Sequence, residues 1–319
     1  MLADLINRLN NKPPTILVIG DLMLDKFIFG SVERLSPEAP VPIVKLEKEE
    51  QMLGGYGNVI RNLSNLGIKT SLCSAVGKDL AGDSLITQLT KKGTDISNVL
   101  RLKNIRTTEK MRIVADRQQI ARVDWDMNDL EVDFSDNLIK SIATYIKEVD
   151  GVIISDYAKG ICSDFLLKKV IRTSNESNIP IFVDPKGSDW EKYQYANLIT
   201  PNIKEAEIIL GEKLENDEAF EMAGEKICST FDIEACLITR GGDGMSFFCK
   251  DNSFHLKYNA KEIFDVSGAG DTVISAMATG LVMNLTYKQA AEFSNEAAGI
   301  VVGHIGTSAI TTRELLNLN

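Results

Sequence analysis

Short apolar runs that end in glycine or polar residues alternate along this chain with segments of helical period. Thr15–Gly20 (TILVIG) is the first, and Lys69–Ala75, Gly151–Ser155, Pro180–Asp184, Leu198–Thr200 and Glu234–Thr239 are similar. Each reads as a buried strand. Gly57–Leu66, Leu80–Lys91, Ser135–Lys147, Ser163–Asn175, Lys204–Leu210 and Asp217–Phe231 carry the helical pattern between them. Strands alternating with helices imply a mostly parallel sheet covered on both faces, so the expected fold class is α/β. Ligands of such sheets bind beyond the carboxyl ends of the strands. Those ends carry Gly20-Asp21, Ser155-Asp156, Asp184-Pro185-Lys186, Thr200-Pro201-Asn202 and Thr239-Arg240-Gly241, which are expected to converge on one cleft.

Two segments break this rhythm. Phe27–Leu46 holds two strand-like runs joined by a proline-rich loop, and Thr107–Trp125 alternates like a hairpin around Asp116-Arg117. Neither fits a crossover helix. They are expected to form a small β lid over the cleft, drawn from about residues 26–52 and 104–126; an edge extension of the main sheet is the alternative. No repeat or clear linker interrupts the 319 residues, so residues 1–319 read as a single domain with a lid.

A net charge of −10 argues against nucleic acid or an anionic membrane as partner. The five cysteines show no CxxC pair and read as reduced thiols in a cytoplasmic protein. With two histidines, a histidine-based metal site is not expected. No signal peptide is visible, and no apolar stretch is long enough to span a bilayer.

Asp265–Thr272 (DVSGAGDT) carries the most chemistry. It follows Ile263-Phe264 and leads into Val273–Leu281, which reads as a buried helix. Gly268, Ala269 and Gly270 then lie at the first turn, where N–H groups lack partners and the helix dipole is positive. That suits a phosphate. Asp271, in the same turn, can take a proton from an attacking hydroxyl. A glycine-rich turn with an acidic helix start is the plainer reading.

Other segments are compatible with a sugar and a nucleotide, each with a plainer alternative. Gly54-Gly55-Tyr56-Gly57-Asn58 allows close backbone approach and offers the Asn58 amide to a polyhydroxylated ligand, or Asn58 sits near a helix cap. Asp21 can accept sugar hydroxyls, or it is a turn residue, and Asp25 lies close by in sequence. Asn202 and Glu205 can hold Mg²⁺ through water, or they open a helix. Thr239–Gly244 can approach phosphates or ribose, or it turns a hairpin into Met245–Cys249. Lys186 offers a point charge to phosphate, or is an ordinary surface lysine. P-loop, dinucleotide, protein-kinase and serine-hydrolase signatures are absent.

In this order the pieces resemble the ribokinase-like (PfkB) family of carbohydrate kinases over nearly the whole chain. Gly54–Gly67 (GGYGNVIRNLSNLG) is similar to the family's first signature and Asp265–Gly280 (DVSGAGDTVISAMATG) to its second. Gly20–Glu50, Ser155–Gly160 (SDYAKG), Asp184–Trp190 (DPKGSDW), Thr200–Glu207 (TPNIKEAE) and Ile238–Met245 (ITRGGDGM) are similar to the family's heptose 7-phosphate kinases. The resemblance implies a ribokinase-like fold with a β lid, ATP and Mg²⁺ as cofactors, and a sugar-phosphate substrate. It implies phosphoryl transfer to the anomeric C1 hydroxyl of D-glycero-β-D-manno-heptose 7-phosphate, giving the 1,7-bisphosphate used for lipopolysaccharide core. Another sugar kinase of this fold, or a non-catalytic sensing module, is the alternative.

Carried over, Asp271 is the base and Gly268, Ala269 and Gly270 form the anion hole. Asn202, Ile203, Lys204 and Glu205 match the ATP/Mg²⁺ segment, with Asn202 and Glu205 holding the metal through water. Lys186, Thr239, Gly241 and Gly244 line phosphates and ribose, and Asn295 lies near adenine. Asp21, Gly55 and Asn58 hold sugar hydroxyls. Lys110, Arg112, Arg122 and Lys159 are candidates for the sugar's phosphate, chosen by location and charge. Tyr56-Gly57 departs from the small pair expected there, and the ring is expected to alter the fit around the sugar. Strand pairing through the lid would make a homodimer. No nucleotidyltransferase motif follows, so a kinase standing alone and one half of a longer protein both remain open.

Overall fold

The computed structural model describes residues 2–116, 118–126, 136–250, 252–258, 268–304 and 308–317, with side chains omitted for 136–138. In chain order the first half contains α1 (Leu2–Asn11), β1 (Thr15–Gly20), β2 (Leu22–Leu35), β3 (Pro42–Gly55), α2 (Gly57–Asn65), β4 (Lys69–Gly77), α3 (Leu80–Lys91), β5 (Asp95–Leu102), β6 (Glu109–Ala115), β7 (Gln118–Trp125) and α4 (Asp136–Ile146). Then follow β8 (Gly151–Ser155), α5 (Asp164–Glu176), β9 (Ile181–Asp184), β10 (Leu198–Ile199), α6 (Ile203–Leu210), α7 (Asp217–Thr230), β11 (Ala235–Thr239), β12 (Met245–Cys249), β13 (Asn252–Leu256), α8 (Ala269–Val282), α9 (Tyr287–Val302) and α10 (Thr312–Leu316). The expected core strands and the helices between them agree with these to within two residues at each end, whereas the helix expected at Val273–Leu281 begins earlier, at Ala269, and the strand-like runs of Phe27–Leu46 extend to Leu22–Leu35 and Pro42–Gly55. Asp265, Val266 and Ser267 of the glycine-rich motif, the Ile263-Phe264 approach, Arg117 of the hairpin turn and Ser135 lie outside the described residues.

A nine-stranded sheet runs β13-β12-β11-β10-β9-β8-β1-β4-β5. Its pairs are parallel from β11 through β5, and only β11–β12 and β12–β13 are antiparallel. This is the mostly parallel α/β arrangement that the alternation of strands and helices implies. Side chains of a strand alternate between faces, and the core divides accordingly. Ile16 and Val18 of β1 join a cluster with α1, α2, α8 and α9, whereas Leu17 and Ile19 join one with α5 and α7. A strand with apolar residues on both faces needs helices on both, which is why TILVIG shows no polar alternation.

The four strands β3-β2-β6-β7 form a second, separate sheet, with β2–β3 and β6–β7 antiparallel and β2–β6 parallel. The edge-extension alternative is thereby excluded. No helix among the described residues is long and apolar enough to cross a membrane. All five cysteines are free thiols.

Tyr56 does not reach into a sugar site. It is fully buried and directly precedes α2. Its ring packs close to Gly20, inside the core. The reading of this ring as a change to the sugar fit is therefore corrected: it fills space beneath β1.

Gly20 ends β1 opposite Ser155 of β8, and an added Cβ would overlap the Ser155 carbonyl oxygen. Backbone cannot yield there as a flexible side chain can. Gly20→Ala is expected to lower the free energy of unfolding by about 1–3 kcal/mol, the usual cost of overpacking. Urea denaturation checks this; an unchanged midpoint would contradict it.

Candidate functional site

The carboxyl ends of β8, β9, β10 and β11 meet the start of α8. Two adjoining cavities lie there. The larger, about 440 Å³, is lined by residues that include Asn202, Ile203, Lys204, Thr239, Gly241, Gly244, Tyr258, Ala269, Gly270 and Asn295. The smaller, about 170 Å³, is lined by residues that include Asp156, Tyr157, Asp184, Lys186, Asn202, Glu205, Gly268, Gly270 and Asp271. The two share Asn202, Thr239 and Gly270.

α8 begins at Gly268, whose φ of 84° is left-handed and suits glycine, and no side chain caps the helix. Among the described residues, the N–H groups of Ala269, Gly270 and Asp271 have no acceptor, and intrahelical bonding starts at Thr272, whose N–H donates to the Gly268 carbonyl. A Cβ added to Gly270 would meet nothing within 4 Å. Unpaired amides, a positive helix end and open space together suit an anion.

Asp271 is buried beside this helix end. Tyr157 Oη donates to its Oδ1 at 2.8 Å, and Asn58 Nδ2 donates to its Oδ2 at 3.1 Å. Burial pushes the Asp271 carboxyl up to about 6; the Tyr157 and Asn58 hydrogen bonds oppose this, nearby Asp25 adds to it, and Arg61 counters. At neutral pH the group is ionised yet basic enough to take a proton. Asn58 is itself held, since Asn62 Nδ2 donates to its carbonyl at 2.9 Å. Its Oδ1 is buried and has no partner among the described residues.

Asn202 and Glu205 open a helix, the plainer of their two readings. They form a capping box at the start of α6: Glu205 N–H donates to Asn202 Oδ1 and Asn202 N–H to Glu205 Oε2, each at 3.0 Å. Both also line the smaller cavity. Lys186 Nζ donates to Glu205 Oε1 at 2.8 Å, so both carboxylate oxygens of Glu205 are engaged. Asp184 is raised well above the usual carboxylate range by burial and then by the like charges of Asp271 and Glu205. A cavity crowded with carboxylate and amide oxygens is a hard-donor environment that suits Mg²⁺, and the engaged Glu205 favours contact through water. Asp21, Asp156 and Cys162 also cluster, but backbone amides, Lys192 and Tyr193 already occupy the two carboxylates.

Thr239–Gly244 turns a hairpin, as its plainer reading expects. β11 and β12 form a hairpin, and its turn lines the larger cavity. Asn295 Nδ2 donates to the Lys257 carbonyl at 2.9 Å, leaving its buried Oδ1 unpaired among the described residues.

Asp21 departs from its expected place. Its Oδ2 accepts N–H bonds from Tyr157 and Lys159, and its Oδ1 one from Ile161. The carboxylate is buried and holds a loop, so the expectation that it accepts sugar hydroxyls is corrected. Gly55 has a φ of 57°, and an added Cβ would crowd the Asp21 carbonyl and Met23; it lines neither cavity.

The four candidate cations fall close together. Lys110 and Arg112 project from one face of β6, with Arg122 directly across from Arg112 on β7. Arg112 pairs with buried Asp25 at 2.7 Å, Arg122 with Asp124 at 2.8 Å, and Lys159 with Asp126 at 2.8 Å. Lys110 has no such partner among the described residues. Burial depresses its pKa and repulsion from Lys159 and Arg122 adds to this, against Asp25 and Asp124.

Sequence reasoning gave no role to Tyr157, Arg61, Asp184 or Tyr258. SDYAKG contained Tyr157, but nothing in its spacing points to a carboxylate more than a hundred residues away.

Residues 14–313 match the pfkB family of carbohydrate kinases. The chain belongs to this family of ATP-dependent sugar kinases. It is 41% identical over 302 residues to the bifunctional protein HldE of Citrifermentans bemidjiense, covering 94% of this chain and 62% of that protein. It is 43% identical over 301 residues to the HldE of Helicobacter pylori strain J99, covering 94% and 65%. The chain thus spans less than two thirds of these curated relatives. Among solved structures it is similar to Arabidopsis thaliana ribokinase complexed with ribose and ATP, with a TM-score of 0.77, 18% identity, and 96% and 99% of the two chains covered. It is also similar to Escherichia coli phosphofructokinase-2 in complex with potassium, with a TM-score of 0.78, 16% identity, and 96% and 98% covered. These two likenesses concern the fold.

Because the space at Gly270 is open, Gly270→Val is expected to keep the unfolding free energy within about 1 kcal/mol. Its side chain would occupy the anion's place, and sugar-kinase turnover should fall at least ~10-fold through misplacement of the reacting groups. Thermal unfolding and coupled ADP release check the pair; lost stability with retained turnover would contradict it.

Proposed function

We propose that this chain transfers the γ-phosphoryl group of ATP to the anomeric C1 hydroxyl of D-glycero-β-D-manno-heptose 7-phosphate, giving the 1,7-bisphosphate used for lipopolysaccharide core. One observation carries the reaction class. A buried carboxylate, Asp271, adjoins the amides that open α8, which have no acceptor among the described residues, and both border the smaller cavity. The HldE relatives and the heptose-kinase-like motifs support the substrate.

The larger cavity accommodates the nucleotide, with the unpaired Asn295 Oδ1 as an acceptor for an adenine amino group. The polyphosphate reaches past Thr239 and Gly270 into the smaller cavity, where Lys186 supplies positive charge. Asn202 and Glu205 would hold Mg²⁺ through water, and the bound ion would supply charge neutralisation for the phosphoryl oxygens. The acceptor hydroxyl attacks phosphorus in line as the bond to the β-phosphate oxygen breaks. Asp271 takes the hydroxyl proton, ADP leaves, and the Ala269 and Gly270 amides stabilise the migrating group. Asn58 Oδ1 accepts a second sugar hydroxyl.

The 7-phosphate is assigned to the cluster of Lys110, Arg112, Arg122 and Lys159. Lys110 is the strongest member of this assignment: its ammonium is half-buried with no ion-pair partner among the described residues, and a phosphate would supply one. The four-stranded sheet acts as the lid that excludes water. Its exposed Leu35, Leu46, Ile120 and Val123 support pairing with a second copy.

Mass spectrometry of the product from heptose 7-phosphate and ATP tests the substrate, and chemical lability of the new phosphate distinguishes an anomeric from an ordinary ester. Asp271→Asn is expected to lose at least ~10²-fold in kcat while still binding ATP. Near-normal turnover would reject the base. The wild-type kcat/KM should fall as pH drops through about 6, because the raised carboxyl takes up a proton there and can no longer accept one. A profile flat down to pH 5 would contradict this.

A further inference from the structure

Tyr157 stands on a loop more tightly fixed than its length would lead one to expect. The loop leaves β8 at Ser155 and passes through Ala158 with a φ of 54° and Gly160 with a φ of 102°. A non-glycine residue in that region is strained and persists only where its surroundings hold it. Two buried carboxylates do so. Asp21, from the end of β1, accepts the N–H groups of Tyr157, Lys159 and Ile161 at 2.9, 3.1 and 3.0 Å. Asp156 Oδ1 accepts the Ala158 N–H at 2.7 Å, and its Oδ2 accepts Lys192 Nζ at 2.6 Å and Tyr193 Oη at 2.7 Å. The backbone of residues 156–161 is thus anchored to two different parts of the fold, on either side of Tyr157.

This anchoring brings one polar atom to the site: Tyr157 Oη, 2.8 Å from Asp271 Oδ1. Asn58 Nδ2 meets the other oxygen from α2. Each carboxylate oxygen therefore carries one fixed donor. A carboxylate oxygen has two lone-pair sites, so one remains on each for an incoming hydroxyl. Without the phenol, Oδ1 would lose the donor that Tyr157 gives it.

We propose that Tyr157 is a positioning residue for the phosphoryl transfer: its hydroxyl fixes Asp271 in the acceptor orientation and keeps it ionised at working pH. The claim rests on the reading of Asp271 as the base. The phenol works through the carboxylate and takes no proton itself. Burial and the facing charges of Asp271 and Asp184 keep it protonated. Other groups also bear on Asp271: Asp25 from β2 favours the protonated form, whereas Arg61 from α2 favours the ionised form. Tyr157 and Asn58 both donate hydrogen bonds directly to Asp271. Asp21, buried and saturated by amides, acts one step further back as the support of the loop.

The test is the pH profile of kcat/KM for the full chain with heptose 7-phosphate and ATP, comparing wild type, Tyr157→Phe and Asp271→Asn. Phenylalanine keeps the ring and removes only the donor. Tyr157→Phe is expected to move the acidic limb upward from about 6 by roughly one pH unit, the scale of one hydrogen bond to a carboxylate. Its kcat near neutrality should fall, with recovery at higher pH and an unchanged KM for ATP. A purely structural role would lower kcat at every pH and leave the limb in place, which would overturn the proposal. Should Asp271→Asn retain turnover, the base assignment fails first, and the two failures are distinguishable. A second measurement needs no folded Tyr157 variant. In the wild type a slowly exchanging phenolic proton should shift as Asp271 titrates and be altered in Asp271→Asn; a phenolic resonance indifferent to both would also overturn the proposal.

Discussion

The meeting of a bare helix end with a buried carboxylate organises the rest of this structure. α8 is apolar through most of its length and packs against α2 and α9, so its N-terminus cannot swing out into solvent. Its first amides must find a partner or remain open toward the cleft, and among the described residues they have no acceptor. Asp271 in the same turn is drawn out of water by the same packing, which raises its proton affinity to the range a general base requires. The electrostatic cost of burying that charge is moderated by the hydrogen bonds from Tyr157 and Asn58 and by the positive charge of Arg61.

That arrangement bears on stability as well. The Asp271 carboxyl binds its proton more tightly in the folded chain than in the unfolded one, with a folded pKa of about 6 against a model-peptide value of 3.8. The folded state therefore carries more protons across that window, and this residue's contribution to stability declines as pH rises through it. A chain selected for stability alone would not keep an ionised carboxylate there. The stiff surroundings, with Asp21 and Asp156 gripping the loop of Tyr157 and Asn62 gripping Asn58, hold the group in place despite that cost.

Much of the fold was legible because burial on both faces of β1, β8 and β11 removes polar residues from those strands. The glycine-rich motif was legible because a helix start without a capping side chain is a recognisable string. Legibility failed where the partner lies far along the chain. Asp21 reads as an open carboxylate until the three amides of a loop beyond residue 155 are in view. Tyr56 reads as a bulky intruder beside a sugar until it is seen beneath Gly20. Tyr157 has no periodicity to mark it, since its function depends on loop geometry rather than on a helix or strand face. Asn202-Glu205 and Thr239–Gly244 teach a different lesson: their structural readings hold as a helix cap and a hairpin turn, and neither excludes a functional role, because both segments also line the cleft.

The most direct test of this account is a crystal structure with ADP, a planar or tetrahedral phosphoryl mimic such as aluminium fluoride, and the sugar phosphate. The mimic should lie within hydrogen-bond distance of the Ala269 and Gly270 amides, with the acceptor hydroxyl between it and Asp271. A mimic bound elsewhere in the cleft, or an acceptor hydroxyl remote from Asp271, would contradict the account.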